Sequence, residues 1–183
     1  DVLFVGAGPA SLAGAVHLQR LLRESGQDAS VGVLEKAGEV GAHSLSGAIV
    51  DPRALRELFP DKNDQDFPFE AEVSEEHLYY MTETRKIPFP FIPPSMNHHG
   101  CYVASLGKLT RWLGEACEKD GVDIFCGFAG TELLYDGDQV IGVRTGDRGI
   151  DKKGVQKQHF EPGADIHAKV VRSEEHTSEL QSQ

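Results

Sequence analysis

Cysteine, tryptophan and methionine are scarce: three, one and two in 183 residues. Cys101, Cys117 and Cys126 stand singly with no C-x-x-C among them. That argues against a zinc or disulfide framework and for reduced thiols in or near a core. No apolar run approaches the ~18 residues that a membrane-crossing helix needs. The first residues read as a strand rather than as a signal peptide. Positive charge is also short, with 18 Lys and Arg against 29 Asp and Glu, a net charge of −11. This excludes a sequence-wide attraction to nucleic acid or anionic lipid, and basic and aromatic residues are not interleaved as nucleic-acid binding would require. Internal repeats and low-complexity stretches are missing. What remains is 39% apolar residues, enough to core one domain or part of one.

The informative residues come first. "VLFV" (2–5) is a short apolar run ending at glycine, suited to a buried parallel strand. From Pro9 the pattern turns helical, with Leu12, Ala15, Val16, Leu18, Leu21 and Leu22 largely on one stripe. Pro9 suits the first helical turn, and Gly26 the stop. "SVGVLE" (30–35) predicts a second strand, so residues 1–50 read as a βαβ unit.

Each position of the intervening "GAGPAS" has a task. Gly6 permits the tight turn, and Gly8 lets the backbone approach a pyrophosphate. The helix opened by Pro9 and Ala10 aims its free N–H groups and positive dipole end at that anion. Ser11 occupies the third place of G-x-G-x-x-G, where glycine serves only close packing, so a slight weakening of helix–strand packing is expected. Glu35 ends the second strand, where a carboxylate accepts hydrogen bonds from ribose hydroxyls and repels a 2′-phosphate. Lys36, beside it, is a candidate for the adenine or a phosphate. The order Gly-Ala-Gly-Pro-Ala, then "VLEK", favours FAD over NAD, because a simple dehydrogenase would proceed to further βα units. Here residues 51–104 form a long insertion, and residues 105–171 resume the fold.

Within these segments, "KAGEVGAHSLSGAIV" (36–50) reads as a loop. Gly41, Ser44, Ser46 and Gly47 are its candidates for flavin contact. His43 could donate a proton, although a hydrogen-bonded structural histidine is favoured. A short helix follows, with Asp51 as cap and Pro52 at its first position. Ala48, Ile49, Val50, Leu55, Leu58 and Phe59 are read as a buried short helix in preference to a lipid-facing patch. Residues 60–72 read as irregular, 75–91 as a hairpin or a pair of extended pieces, and "FIPPSMNHHG" as a proline-rigidified loop. His98 and His99 beside Cys101 lack fitting ligands nearby, so no metal site is expected. Leu106, Leu109, Leu113 and Cys117 predict a helix with Ser105 as cap and Gly121 as stop. "VDIFC" predicts a core strand, and "TELLYDGDQVIGVRT" a hairpin turning at Asp136-Gly137-Asp138. Residues 146–163 read as a polar excursion, and Ala164–Val171 as one final strand.

Over residues 1–171 the chain resembles the electron-transfer flavoprotein:ubiquinone oxidoreductase family. The resemblance rests on "VGAGPA", "LEKAGEVGAHSLSGAIVDPRALRELFP", "MNHHGCYVASLGKLTRWLGEACEKDGVDIFCGFAG" and "GVRTGDRGIDKKG…FEPGADIHAK". It implies an α/β fold, a Rossmann-like FAD-binding domain of glutathione-reductase type. That fold has three layers, a mainly parallel sheet plus a β-hairpin or meander, and an inserted irregular segment. It also implies an oxidoreductase of the respiratory chain that takes electrons from reduced electron-transfer flavoprotein and passes them to ubiquinone. The family's [4Fe-4S] cluster is expected in a C-terminal region beyond this chain, and the protein on the inner-membrane surface, at the bacterial cytoplasmic or mitochondrial matrix face. No catalytic side chain is expected, because the flavin carries the redox chemistry. The alternatives are a geranylgeranyl-reductase-like or nitrogen-fixation-associated flavoprotein, or an FAD-binding fragment without catalysis of its own. Residues 172–183, "RSEEHTSELQSQ", match the translation of a common sequencing adapter up to Ser182. They are set aside as an adapter-derived artefact tail.

Overall fold

The computed structural model describes residues 1–150 and 155–173. In chain order come β1 (Val2–Val5), α1 (Pro9–Glu24), β2 (Val31–Glu35), β3 (Ser46–Val50) and α2 (Arg53–Leu58). Next are β4 (Phe69–Glu72), β5 (Tyr79–Met81), β6 (Lys86–Pro88), β7 (Tyr102–Ser105) and α3 (Leu106–Lys119). The remainder is strand: β8 (Asp123–Cys126), β9 (Gly130–Asp136), β10 (Gln139–Thr145), β11 (Arg148–Ile150), β12 (Gln156–Glu161), β13 (Asp165–His167) and β14 (Val170–Ser173). These elements form two compact units: the described residues of 1–44 with 107–173, and residues 45–106.

In the first unit a parallel sheet of order β14-β1-β2-β8 lies between a helix and a meander. Side chains alternate across a strand, so Leu3 and Val5 face one way and Phe4 the other. Leu3, Val5 and Leu34 bury against Val143, with Leu133, Ile166 and Val171 packed around them, where β9, β10 and β13 form an antiparallel sheet. On the other face, α1 buries Leu12, Ala15 and Val16 completely. Its approach is close because Gly14 lies over the Phe4 ring, where a Cβ would stand 3.3 Å from a ring carbon. Ser11 is fully buried here too, and its hydroxyl has no hydrogen-bond partner among the described residues. Cys117 is likewise enclosed, its thiol donating to the Leu12 carbonyl at 3.3 Å, and burial pushes its pKa up to about 12. It is a core residue, whereas Cys101 and Cys126 are half-buried free thiols.

Two readings of the sequence need correction in this unit. "ADIHAKVV" is two strands rather than one: β13 pairs antiparallel with β10, and β14 pairs parallel with β1. The chain switches sheets at Lys169 and Val170, whose amides both donate to the Asp1 carbonyl. The alternating pattern is the same in both pieces, so periodicity does not reveal the switch. β14 also runs on through Arg172 and Ser173, the first two residues of the stretch set aside. Backbone pairing tolerates almost any side chain, and Arg172 settles over the Phe4 ring at 5.9 Å. Within the polar excursion, β11 and β12 form a two-stranded ladder. Residues 151–154 and 174–183 lie outside the described residues.

In the second unit, β3, β7 and β4 form an antiparallel sheet in that order. β3 and β4 arise in stretches read from sequence as loop and irregular chain. Both are short, and each is defined by pairing with the distant β7. Phe59, Phe67, Phe69 and Tyr102 form an aromatic chain, the last pair stacked at 4.4 Å. Leu55 and Phe59 are buried as expected for the short helix, whereas Ile49 is exposed. Asp51 receives the Arg53 amide at 3.0 Å, although helical geometry starts one residue later than expected. Asp64 accepts hydrogen bonds from Arg56 and from the Tyr102 hydroxyl. These partners, Arg56 first, hold its pKa at about 2 instead of 3.8.

A buried, unpaired hydroxyl costs ~1–3 kcal/mol relative to a partnered or apolar group. Ser11→Ala is therefore expected to raise the urea midpoint of the chain, by ~1 kcal/mol in stability. Asp64 has a depressed pKa, so its contribution is fully present above pH 3.8 and is lost as pH falls toward 2. Acid titration by circular dichroism should show a loss in that window that is smaller in Asp64→Asn.

Candidate functional site

The turn after β1 opens onto a cleft of about 190 Å³ lined by Gly6, Ala7, Gly8, Glu35, Lys36, Gly41, His43, Ser44 and Phe128, among others. Gly6 has φ +93, a conformation only glycine adopts readily, and its amide donates to the Leu34 carbonyl at 2.8 Å. Gly8 differs. Its φ of −76 and ψ of 166 suit any residue, and a Cβ on it would meet nothing within 4 Å. Neither backbone conformation nor internal packing demands glycine there.

Gly8 is also the N-cap of α1. No side chain caps this end, and its first turn carries no acid. The leading N–H groups of a helix have no intrahelical partners, and Pro9 brings none of its own, so Ala10 and Ser11 present the free amides beside a positive dipole end. The cleft thus offers an open backbone approach at Gly8, with the leading N–H groups of α1 immediately beyond. An anion with a slim, extended attachment suits it.

Glu35 stands opposite. Its carboxylate accepts the Ala7 amide at 2.9 Å and the Ala37 amide at 2.7 Å, one on each oxygen. Each oxygen keeps a further lone pair for a hydroxyl donor. Behind it the chain closes by main-chain bonds, Phe128 N–H to the Glu35 carbonyl and Gly127 N–H to that of Ala37.

The structure brings together Gly6, Gly8, Glu35, Lys36, Gly41 and Ser44 from the sequence-read set. Pro9 and Ala10 open α1 immediately beyond, and Ser46 and Gly47 belong to β3 of the second unit. His43 lines the cleft, is exposed and makes no side-chain hydrogen bond among the described residues, unlike the hydrogen-bonded structural histidine expected from sequence. The Ser44 hydroxyl is directed to Thr110 Oγ1 at 3.4 Å. Sequence reading missed the wall made by Phe128, Ala129 and Gly130. The available signal was the pair of glycines Gly127 and Gly130 directly after a core strand. His98 instead bonds Glu76 through both its ring and its amide.

Compared with known proteins, the chain is 46% identical over 173 residues to the mitochondrial electron transfer flavoprotein-ubiquinone oxidoreductase of Mus musculus. It is 44% identical over 176 residues to the probable bacterial counterpart from Acinetobacter baylyi. This sequence is similar to one segment of electron transfer flavoprotein-ubiquinone oxidoreductase. The matches cover 93% of this chain but only 28% and 31% of those relatives. The resemblance read from the motifs therefore holds across nearly the whole chain. No family model matches.

Among solved structures, a geranylgeranyl bacteriochlorophyll reductase-like protein from Thermoplasma acidophilum superposes with a TM-score of 0.64 at 22% identity. That match covers 94% of this chain and 38% of the other. A myxobacterial chondrochloren halogenase, a variant of the FAD-dependent halogenases, gives 0.59 at 18% identity, covering 94% and 36%. At such identities the likeness shows the fold, the α/β architecture with a parallel sheet expected from sequence.

Glu35→Gln replaces one acceptor by an NH₂ group that faces a main-chain N–H. A hydrogen bond to a charged group contributes ~1.5–3 kcal/mol, so a loss of ~1–2 kcal/mol in stability is expected by urea unfolding. A Gln variant as stable as the parent would mean that the carboxylate does not organise the turn.

Proposed function

We propose that this chain binds FAD and belongs to an oxidoreductase that passes electrons from reduced electron-transfer flavoprotein to ubiquinone. The observation that carries the cofactor reading is Gly8: a glycine without conformational or packing need, in open space beside an uncapped helix. A diphosphate approaching the backbone at that point accounts for it. The electron path is supported by the similarity to the mouse and Acinetobacter proteins, of which the chain spans less than a third.

In this reading the residues present fit the adenylate half of the cofactor. Gly6 and Gly8 leave room for the diphosphate, and Pro9 and Ala10 open the helix whose amides hold it. Glu35 accepts the ribose hydroxyls through its remaining lone pairs, and Lys36 stands at the rim for adenine or phosphate. Gly41 and Ser44 line the side reached by the chain leading to the flavin. The cleft, about 190 Å³, is smaller than the ~300–1,000 Å³ of whole-ligand pockets, which matches a site for part of a dinucleotide. FAD, when bound, supplies hydride and single-electron transfer, and the protein's share is binding, orientation and electrostatics.

Peripheral attachment to a membrane surface belongs to the same proposal. No helix among the described residues is long and apolar enough to cross a bilayer. The hairpin β5–β6 and the segment after it, however, expose Tyr80, Met81, Ile87 and Phe91. The [4Fe-4S] cluster is assigned to none of these residues, since no group of three His, Cys, Asp or Glu among those described could hold a metal.

Calorimetric titration of the chain with FAD and with FMN tests the cofactor reading. FAD is expected to bind weakly but measurably, and FMN, which lacks the adenylate, not at all. Equal binding of both, or of neither, would refute it. Gly8→Ala should lower FAD affinity at least tenfold while costing no more than ~1 kcal/mol in stability, the scale of an N-cap exchange.

A further inference from the structure

The loop between β2 and β3 rests on one face of α3, and glycine makes the contact on both sides. Gly107, Thr110, Arg111 and Gly114 follow at i, i+3, i+4 and i+7, a single helical stripe. Gly41, with φ +82, lies so near that a Cβ on it would stand 2.6 Å from the Gly107 carbonyl oxygen. A Cβ on Gly114 would meet Val40 at 3.1, 3.4 and 3.4 Å, touching all three of its branching carbons. Between these contacts the Ser44 hydroxyl reaches Thr110 Oγ1, and at the edge Arg111 pairs with Glu39 at 3.5 Å. The same loop supplies Gly41, His43 and Ser44 to the cleft.

Glycine within a helix is unfavourable compared with alanine. Gly114 is nevertheless buried mid-helix, with Val40 directly over it. Building on the FAD reading above, we propose that the Gly107–Gly114 stripe is a seat that sets the height of the loop above the cofactor cleft, with Gly114 as a positioning residue for the diphosphate-bearing cofactor. Gly114 touches no ligand itself. A methyl group there lifts Val40 by a few tenths of an ångström and carries Gly41 and Ser44 with it.

The two roles open to Gly114 predict different signs. If it matters only to the helix, Gly114→Ala stabilises the chain and leaves cofactor affinity alone. As a seat, it lowers FAD affinity even where the helix gains stability, and trimming Val40 restores the fit. The experiment uses the full chain as wild type, Gly114→Ala, Val40→Ala and the double variant. FAD affinity is measured by calorimetry, and amide hydrogen exchange of residues 38–44 is followed without cofactor. The expected result is a loss of about fivefold or more in affinity for Gly114→Ala, since misplacement by a fraction of an ångström is costly. Faster loop exchange should accompany it, and both should return to within about twofold of wild type in the double variant. Unchanged affinity and exchange in Gly114→Ala, or a double variant no better than the single, overturns the seat. Should wild type itself take up no FAD, the cofactor reading fails, and the exchange data alone decide: faster exchange reversed by Val40→Ala upholds the seat, and unchanged exchange overturns it.

Discussion

The cleft is organised by one carboxylate. Glu35 ends β2, and its two oxygens hold the amide of the glycine turn on one side and the amide of the outgoing loop on the other. A neutral side chain of the same length could satisfy one of these donors but not both. Its main-chain carbonyl then takes the Phe128 amide, which brings the far wall into place. Three chain segments far apart in sequence therefore converge on one residue. A charged group that already orders the protein's own backbone is also well placed for a ligand, because it requires little rearrangement on binding.

The first βαβ unit was legible because its signals are local. Strand period, glycine turn, proline at the helix start and an acid ending the next strand all lie within about 35 residues. The residues that line the cleft around Gly6, Gly8 and Glu35 followed from the same logic. Where the reading fell short, the deciding contact was distant. β3 and β4 exist because each finds β7, and "ADIHAKVV" divides because one half meets β10 and the other β1. Phe128 to Gly130 escaped notice for the same reason: their proximity to Gly6 depends on β8 lying beside β2.

Ser11 shows how a departure from pattern is absorbed. A hydroxymethyl group stands where the glycine pattern has a hydrogen, and it is accommodated in full burial with no hydrogen-bond partner among the described residues. Close packing is preserved by its neighbours, with Ala15 fully buried and Gly14 against Phe4. The substitution therefore strains stability and leaves the geometry of the anion-facing amides intact. The second unit relies on a different principle, a run of aromatic rings joined to a charged pair at Asp64 and Arg56.

The parallel pairing of Val2 with Val170 has a consequence for synthesis. β1 leaves the ribosome well before β14, the strand that completes its outer edge. Until then Leu3, Phe4 and Val5 form an apolar strand with one row of unpaired backbone groups. Such an edge invites pairing with other nascent chains. Closing it requires all the residues between β1 and β14, so this edge is completed long after β1 is made, and the helper proteins that shield emerging chains gain a window in which to act.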